Sequence, residues 1–462
     1  MLNRRHFLQS ATAAASTLPA LAQRPAAPTA RPNILLILAD DLADWMLGCY
    51  GNQEIRTPNI DLLARSGMRF QNSFCTTPIC SPSRATLFTG RTPRQHGIHD
   101  FLSANPIADP PQGQKDVPAS FASETFLSDL LKQGGYRTGY IGKWHMGNDE
   151  KPGHGFDYTA TVRNRTYSDP TYHINGKETP RQGFLTELNT AYAEEFINQG
   201  DSAQPFFLTL GYLNPHTPYS GHPQRYYDMY ANTKFDTIGW LPKAPNALRE
   251  KEMMNDVVGN IRKCAASVTA LDDQLPRLLK ALDTRGVRNN TLVIFTGDNG
   301  YLLGRHGLWS KGLASHPINM YEESVRVPML WHWRGKIPVE ATRPELVSFY
   351  DFLPTVCEAA GLTPPANRNL CGRSYWSLVR NLPPDRKNPW PTTVFGHFRN
   401  TEMARDGRFK LVLRNDIAGP NELFDLSTDP REHTNHYDNP QYLSVRDRLS
   451  AQLDAWRRRT QS

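Results

Sequence analysis

The sequence predicts an α/β protein, a large, mostly parallel sheet flanked by helices, followed by a smaller C-terminal α+β subdomain. Three observations carry this. Asn33-Ile34-Leu35-Leu36-Ile37-Leu38 is a continuous apolar run that stops at Ala39-Asp40-Asp41, the pattern of a strand buried on both faces. Thr291-Leu292-Val293-Ile294-Phe295-Thr296 repeats it and stops at Gly297-Asp298-Asn299-Gly300. Helical patterns lie between such runs, and alternation of strands with helices marks a parallel sheet covered on both sides.

Residues 1–22 are read as a signal rather than as part of the fold. Arg4-Arg5 precede an apolar segment from Leu8 to Leu21, and Ala20-Leu21-Ala22 offers an A-x-A cleavage site. This resembles a twin-arginine signal, which implies the twin-arginine export machinery as a partner and a periplasmic or secreted location. A disordered basic tail is the plain alternative. Residues 23–30, rich in Pro and Ala, form a tether. Residues 31–380 are assigned to the main domain, with further strands at Tyr136–Ile141 and Pro205–Leu210. Helices are expected over Glu124–Lys132, over Leu188–Ile197, and through Val268, Leu271, Leu275, Leu278, Leu279 and Leu282, where Pro276 predicts a kink. The proline-rich loop Ser103–Pro118 is expected to be exposed near the site opening. Residues 381–391 read as a linker and 392–462 as the C-terminal subdomain. The latter has short strands at Thr393–His397, Phe409–Leu413 and Glu422–Leu426. An amphipathic helix follows, with Leu443, Val445, Leu449, Leu453 and Trp456 on its apolar face.

Composition narrows the class. The 462 residues are 39% hydrophobic and 21% charged, as in globular chains. No apolar run approaches the roughly 20 residues of a membrane span. Arg4 and Arg5 supply two charges of the formal +7, and Arg457-Arg458-Arg459 read as a solvated helix end. No nucleic-acid motif is present, so nucleic acid is not expected as a partner. Six cysteines lack C-x-x-C pairs, which argues against a cysteine zinc site. An exported chain could hold a disulfide, but the sequence names no pair.

The strand ends carry the chemistry. In open α/β sheets ligands bind beyond the carboxyl ends of the strands. Asp40-Asp41 and Asp298-Asn299 offer the oxygen donors that hard divalent cations prefer. Each pair alone reads as a turn or helix cap. Cys80 opens Cys80-Ser81-Pro82-Ser83-Arg84 and continues to Thr89-Gly90. It reads as a small buried residue or as a thiolate at a helix N-terminus. Arg84, one helical turn on, is an anion-orienting fork or a surface arginine. Lys143 and His145, in Gly142-Lys143-Trp144-His145-Met146-Gly147, point the same way if the backbone is extended. His216 lies in Asn214-Pro215-His216-Thr217-Pro218. Lys311 lies in Trp309-Ser310-Lys311-Gly312, where a mobile surface lysine is the alternative. His96, His99, Asp100, Arg305 and His306 are substrate-side candidates, or else packed and capping residues.

These motifs resemble the type I sulfatases, the formylglycine-dependent branch of the alkaline phosphatase superfamily. C-x-P-x-R at Cys80, G-K-W-H-x-G at Gly142 and P-H-x-P at Pro215 carry the likeness. So do Gly155-Phe156-Asp157, Tyr321-Glu322-Glu323-Ser324, Arg326-Val327-Pro328, Asp351-Phe352-Leu353-Pro354-Thr355, Leu423-Phe424-Asp425-Leu426 and Asp429-Pro430-Arg431-Glu432, in order. The resemblance runs from Arg31 to Asn435 and implies an alkaline-phosphatase-like fold. It implies that a formylglycine-generating enzyme oxidises Cys80. It implies one Ca2+, with Mg2+ as the alternative, held by Asp40, Asp41, residue 80, Asp298 and Asn299. Arg84 would orient the aldehyde hydrate, and Lys143 and Lys311 would contact sulfate. His145 would take a proton from the second hydroxyl, and His216 would protonate the leaving oxygen. The implied activity is hydrolysis of an organic sulfate ester, a sulfated small molecule or glycan. The alternatives are a phosphonate monoester or phosphodiester hydrolase of the same superfamily, and a non-catalytic binder of sulfated glycans.

Overall fold

The computed structural model describes residues 31–108, 111–163, 166–201, 203–383, 385–415 and 419–461. The expected signal and tether, residues 1–30, lie outside them. Ten strands form one sheet, in the spatial order Ala341–Ser348, Met68–Phe74, Met329–His332, Thr291–Gly297, Asn33–Asp40, Phe206–Pro215, Arg137–Lys143, Tyr158–Val162, Thr171–Ile174 and Lys177–Pro180. Met329–His332 and Thr171–Ile174 run against the rest, so the sheet is mixed about a parallel centre. Asn33–Asp40 sits between Thr291–Gly297 and Phe206–Pro215, parallel to both. All eight of its residues are buried, as the unbroken apolar run predicts.

Alternation along that strand feeds two cores. Leu35, Ile37 and Ala39 pack with the helices Pro58–Arg65, Leu185–Asn198, Val257–Asp272 and Leu275–Thr284. Ile34, Leu36 and Leu38 pack on the other face with Cys80–Thr89, Leu127–Gln133 and Phe352–Ala359. The apolar pattern around Pro276 is two helices and not one kinked helix, with Pro276 in the first turn of the second. Proline is tolerated there because a first-turn N–H has no helical acceptor. The helix expected over Glu124–Lys132 begins later, at Leu127, and runs to Gln133, with a separate 3-10 turn before it at Ala119–Ser123.

Beyond the large sheet, Val394–Phe398, Thr401–Arg405, Phe409–Arg414 and Glu422–Asp425 form an antiparallel sheet in chain order. The terminal helix Leu443–Arg459 covers it with Leu449, Leu453 and Trp456, while Leu443 is 40% exposed and stands outside the apolar face. Lys410 of this sheet is fully buried and pairs with Glu322, at 3.1 Å, and Glu432, at 2.7 Å. Burial raises the Glu322 carboxyl, but Lys410, Arg405 and Arg326 outweigh it and hold it at about 2. All six cysteines are unpaired. Among the described residues no helix is long and apolar enough to cross a membrane.

Candidate active site

Four neighbouring strands of the sheet end on one spot. The strand Asn33–Asp40 delivers Asp40, and the chain leaves it through Asp41 at φ 64°. This left-handed conformation is rare outside glycine and concentrates at functional sites. Thr291–Gly297 delivers Asp298 and Asn299, Arg137–Lys143 delivers Lys143, and Phe206–Pro215 delivers His216. Gly142 is needed for the approach of the last two. It has φ 96°, and a Cβ there would lie 2.0 Å from the carbonyl oxygen of Gly211 on the neighbouring strand.

A helix closes the other side. Cys80 is its first residue, and all ten residues of Cys80–Thr89 are buried. Pro82 falls in the first turn, and Gly90 ends the helix at φ 67°, where a side chain would be strained. Cys80 Sγ lies 3.3 Å from Asp40 Oδ1, 3.9 Å from Asp41 Oδ1, 3.5 Å from Lys143 Nζ and 3.0 Å from Lys311 Nζ. Lys143 also pairs with Asp40, and Lys311 with Asp41. Lys311 is only 3% exposed, which removes the reading of a mobile surface lysine.

Arg84 is buried like the helix that carries it. Its Nε donates to Asp298 Oδ2 at 2.8 Å, and one terminal nitrogen donates to the Lys143 carbonyl oxygen at 2.7 Å. The other terminal nitrogen lies 3.6 Å from Asp40. Arg84 thus ties three strand ends together. Asp298 Oδ1 accepts the Asp41 N–H at 3.0 Å, and Asn299 Nδ2 donates to Asp41 Oδ1 at 2.9 Å. His216 Nδ1 donates to the Thr217 carbonyl oxygen, which turns Nε2 toward Asp41 Oδ2 at 3.7 Å.

Electrostatics follow from this crowding. Burial raises the Asp40 carboxyl, but Lys143, His216, Arg84 and Lys311 together hold it well below the usual range. Burial and the neighbouring Asp40 push Asp298 up to about 6 against the pull of Arg84. Burial, followed by Asp40, pushes the Cys80 thiol up to about 12 despite both lysines. Burial thus works against a thiolate at position 80.

A divalent cation fits the donor set. Asp40, Asp41, Cys80 and His216 each bring one possible ligand atom within 4.8 Å of the others. Asn299 Oδ1 is buried without a hydrogen-bond partner. Buried polar atoms seldom stay unsatisfied, and an amide oxygen beside two carboxylates is a hard-cation ligand.

His145 reaches the same pocket by a different route from the one expected. The strand stops at Lys143, and His145 adopts φ 59° instead of continuing extended. Its Nε2 donates to the Leu102 carbonyl oxygen at 3.0 Å, and its backbone N–H donates to Asp149 Oδ1 at 3.0 Å. The pocket is lined by Asp41, Ile79, Cys80, Phe101, His145, His216, Arg249, Glu250, Ser310 and Lys311. A cleft of about 550 Å3 shares His145 with it and is walled by Leu102, Ser103, Ala104, Lys115, Val117, Lys143, Gly147, Asn148, Asp149, Glu150, Val162, Arg163 and Leu213.

The substrate-side candidates have other partners. Asp100 accepts the N–H groups of Phe101 and Gly113 and pairs with Arg399. His99 is exposed and meets the edge of His397, and His96 is buried against Thr86. Arg305 lies over the Trp45 ring and donates to the Ile238 carbonyl oxygen. His306 pairs with Glu323 and stacks on Tyr321. None of the five lines the pocket. Arg249 and Glu250 do. They lie in a segment without periodicity or motif, so no signal in the sequence marks them. Glu250 accepts from Thr217 Oγ1 at 2.5 Å and Tyr301 Oη at 2.7 Å.

Comparison with known proteins adds the family and the fold. The family model described as Sulfatase matches residues 32–362, and one described as N-sulphoglucosamine sulphohydrolase, C-terminal, matches residues 304–459. The chain is 26% identical to an N-acetylglucosamine-6-O-sulfatase of Bacteroides thetaiotaomicron, over 96% of this chain and 89% of that protein. Among solved structures, one in complex with its substrate D-glucosamine-2-N,6-O-disulfate superposes at TM-score 0.77 and 24% identity, covering 93% of this chain and 98% of that one. The phosphonate monoester hydrolase of Agrobacterium radiobacter superposes at TM-score 0.72 and 22% identity, covering 93% and 96%. At these identities the two structures speak to the fold.

Proposed function

The chain belongs to the sulfatase family, and from that premise we propose that it cleaves O-sulfate from a carbohydrate, with residue 80 as the nucleophile after oxidation to formylglycine. The observation that carries this is the placement of Cys80 between two lysines, 3.5 and 3.0 Å from its Sγ, at the junction of the strand ends. The carbohydrate is supported by the relative that acts on an N-acetylglucosamine 6-sulfate and by the cleft beside the pocket. The twin-arginine pattern of residues 1–22 supports export to the periplasm or beyond.

A Ca2+ held by Asp40, Asp41, Asp298 and Asn299 would supply positive charge to a sulfate oxygen. The hydrated aldehyde at position 80 would supply two hydroxyls: one attacks sulfur as the S–O bond to the alcohol breaks, and the other then loses its proton, reforming C=O as sulfate departs. Lys143 and Lys311 neutralise charge that builds on the transferring oxygens, in a pocket where few waters compete. His216 faces the site through Nε2 and delivers a proton to the departing alcohol oxygen. His145 has its Nε2 proton engaged by Leu102, so Nδ1 is the basic nitrogen of its neutral ring and accepts the proton of the second hydroxyl. Arg84 positions rather than reacts, since its donors are directed at Asp298, Asp40 and the Lys143 carbonyl oxygen.

The test is kcat/KM for matched aryl sulfate, phosphonate monoester and phosphodiester substrates, together with sulfate release from defined sulfated sugars. Sulfate esters are expected to be the preferred class. Preference for the phosphonate or diester by tenfold or more would replace this reading with the other hydrolase of the superfamily.

A further inference from the structure

Among the cations at the catalytic pocket, Arg249 is differently placed. Lys143, Lys311 and Arg84 each pair with a buried carboxylate. Arg249 lines the same pocket and makes no ion pair with any carboxylate among the described residues. Its guanidinium carbon lies over the ring of Phe101, 4.5 Å from the centroid. One terminal nitrogen makes a long contact, 3.5 Å, to Gln112 Oε1. The backbone of Arg249 is pinned by its N–H to the Leu313 carbonyl oxygen, two residues from Lys311, at 3.3 Å.

This is the geometry of a held but unspent donor. A guanidinium carries five N–H groups in one plane. Stacking on an aromatic face fixes that plane and leaves the edge donors directed outward. Gln112 is neutral and takes one donor weakly, so no carboxylate among the described residues compensates the charge of Arg249. Oxyanions with two oxygens on one atom, carboxylates and tetrahedral phosphate-like groups such as sulfate, are what such a fork recognises in pairs of parallel bonds. The scissile sulfate is already provided for by Lys143 and Lys311, whose ammonium groups flank Cys80. A cation beside that set, on the wall formed by Phe101 and Gln112, is placed for a different group of the same molecule.

We propose that Arg249 is a specificity-determining residue that binds a second anionic substituent, a sulfate or a carboxylate, carried by the substrate next to the scissile sulfate. The inference rests on the sulfatase reading above and narrows its substrate to polyanionic sugars. Gln112 acts as a neutral spacer that orients the guanidinium without neutralising it. A charge-assisted hydrogen bond contributes about 1.5–3 kcal/mol, which corresponds to roughly tenfold to a hundredfold in kcat/KM.

The experiment compares sulfate release from N-acetylglucosamine 6-sulfate, from N-sulfoglucosamine 6-sulfate and from a 6-sulfated N-acetylated disaccharide containing a uronate, with an aryl sulfate as reference. It is run on the matured wild type, on Arg249→Gln and on Gln112→Glu. The second variant leaves Arg249 in place and gives it a carboxylate partner, so it remains informative where Arg249→Gln is unstable. The wild type is expected to favour a dianionic sugar over the monosulfate by at least tenfold, mainly through KM. Which of the two dianions gains identifies sulfate or carboxylate as the second group. Both variants should lower that ratio to within about threefold of unity. A wild type without preference or a preference that survives both variants would overturn the inference and leave the sulfatase reading standing, whereas turnover of the aryl sulfate with none of any sugar would overturn the inference and the carbohydrate substrate together and leave sulfate-ester hydrolysis alone. Absence of sulfate release from every substrate, the aryl sulfate included, would overturn both.

Discussion

Replacing Lys311 by Met should reduce kcat for sulfate-ester hydrolysis about a hundredfold. Lys311 Nζ lies 3.0 Å from Cys80 Sγ, the position from which residue 80 reacts. At an effective dielectric of about 20, two unit charges at that separation interact by about 5.5 kcal/mol. Only part of a charge builds on the transferring oxygens, so roughly half of this, about 2–3 kcal/mol, is realised in the transition state. Loss of one preorganised donor elsewhere costs a similar about 2.7–4 kcal/mol, and each 1.36 kcal/mol is about tenfold in rate. Met keeps the volume of the side chain. Asp41 retains Asn299 Nδ2 at 2.9 Å and His216 at 3.7 Å, so the loss of its buried partner should cost no more than about 3–5 kcal/mol of stability. The assay is initial-rate sulfate release from an aryl sulfate across a KM series, with thermal unfolding as the control for folding. A kcat within threefold of wild type, in protein that is fully folded at the assay temperature, would refute the charge assigned to Lys311.

Other perturbations test separate parts of the structure. Cys80→Ser keeps a hydroxyl able to attack sulfur but lacks the second hydroxyl, so one sulfuryl group per chain should accumulate on residue 80, read as an intact-mass increase after incubation with substrate. Ca2+ should raise the unfolding temperature of chelator-treated protein, because a ligand that binds only the folded state at 100 times its Kd adds about 2.7 kcal/mol; equal unfolding temperatures with and without the cation would count against the oxygen cluster as its site. Lys410→Met leaves Glu322 and Glu432 without their shared buried cation and should cost about 3–5 kcal/mol in denaturant unfolding. The folded Glu322 carboxyl lies below its unfolded value, so its contribution is present above about 4.5 and is lost as pH falls toward about 2. Weakening that depression in Lys410→Met should move the acid-unfolding midpoint to higher pH.

What the sequence revealed depended on how locally each feature is encoded. Asn33–Asp40 and Thr291–Gly297 were legible because strands buried on both faces need apolar residues at every position. Ala341–Ser348 and Lys177–Pro180 were not, because edge strands of mixed polarity resemble loops. Pro276 was visible as a disruption, but whether it kinks a helix or starts a second one depends on tertiary packing. In the site, the short motifs around Cys80, Lys143, His216 and Lys311 mapped onto one location because each follows a strand end or opens a helix. The pairing of Lys143 with Asp40 and of Lys311 with Asp41 joins residues far apart in the chain, and nothing local specifies it. His145 was found by its motif, yet its positive φ replaced the extended geometry expected of it. Asp100, Arg305 and His306 lie near these motifs in sequence, but their ion pairs with Arg399 and Glu323 join distant parts of the chain and are not written locally. Arg249 and Glu250 reach the pocket from a segment without regular structure, where only three-dimensional placement reveals them.

The most direct test of the central claim is turnover measured against the aldehyde content of residue 80. Preparations made with graded amounts of a formylglycine-generating enzyme are assayed for sulfate release, and the aldehyde fraction of each is counted by mass analysis of the peptide containing residue 80. The account predicts a straight line through the origin. Turnover that persists at the same rate in protein whose Cys80 is entirely unoxidised would contradict it.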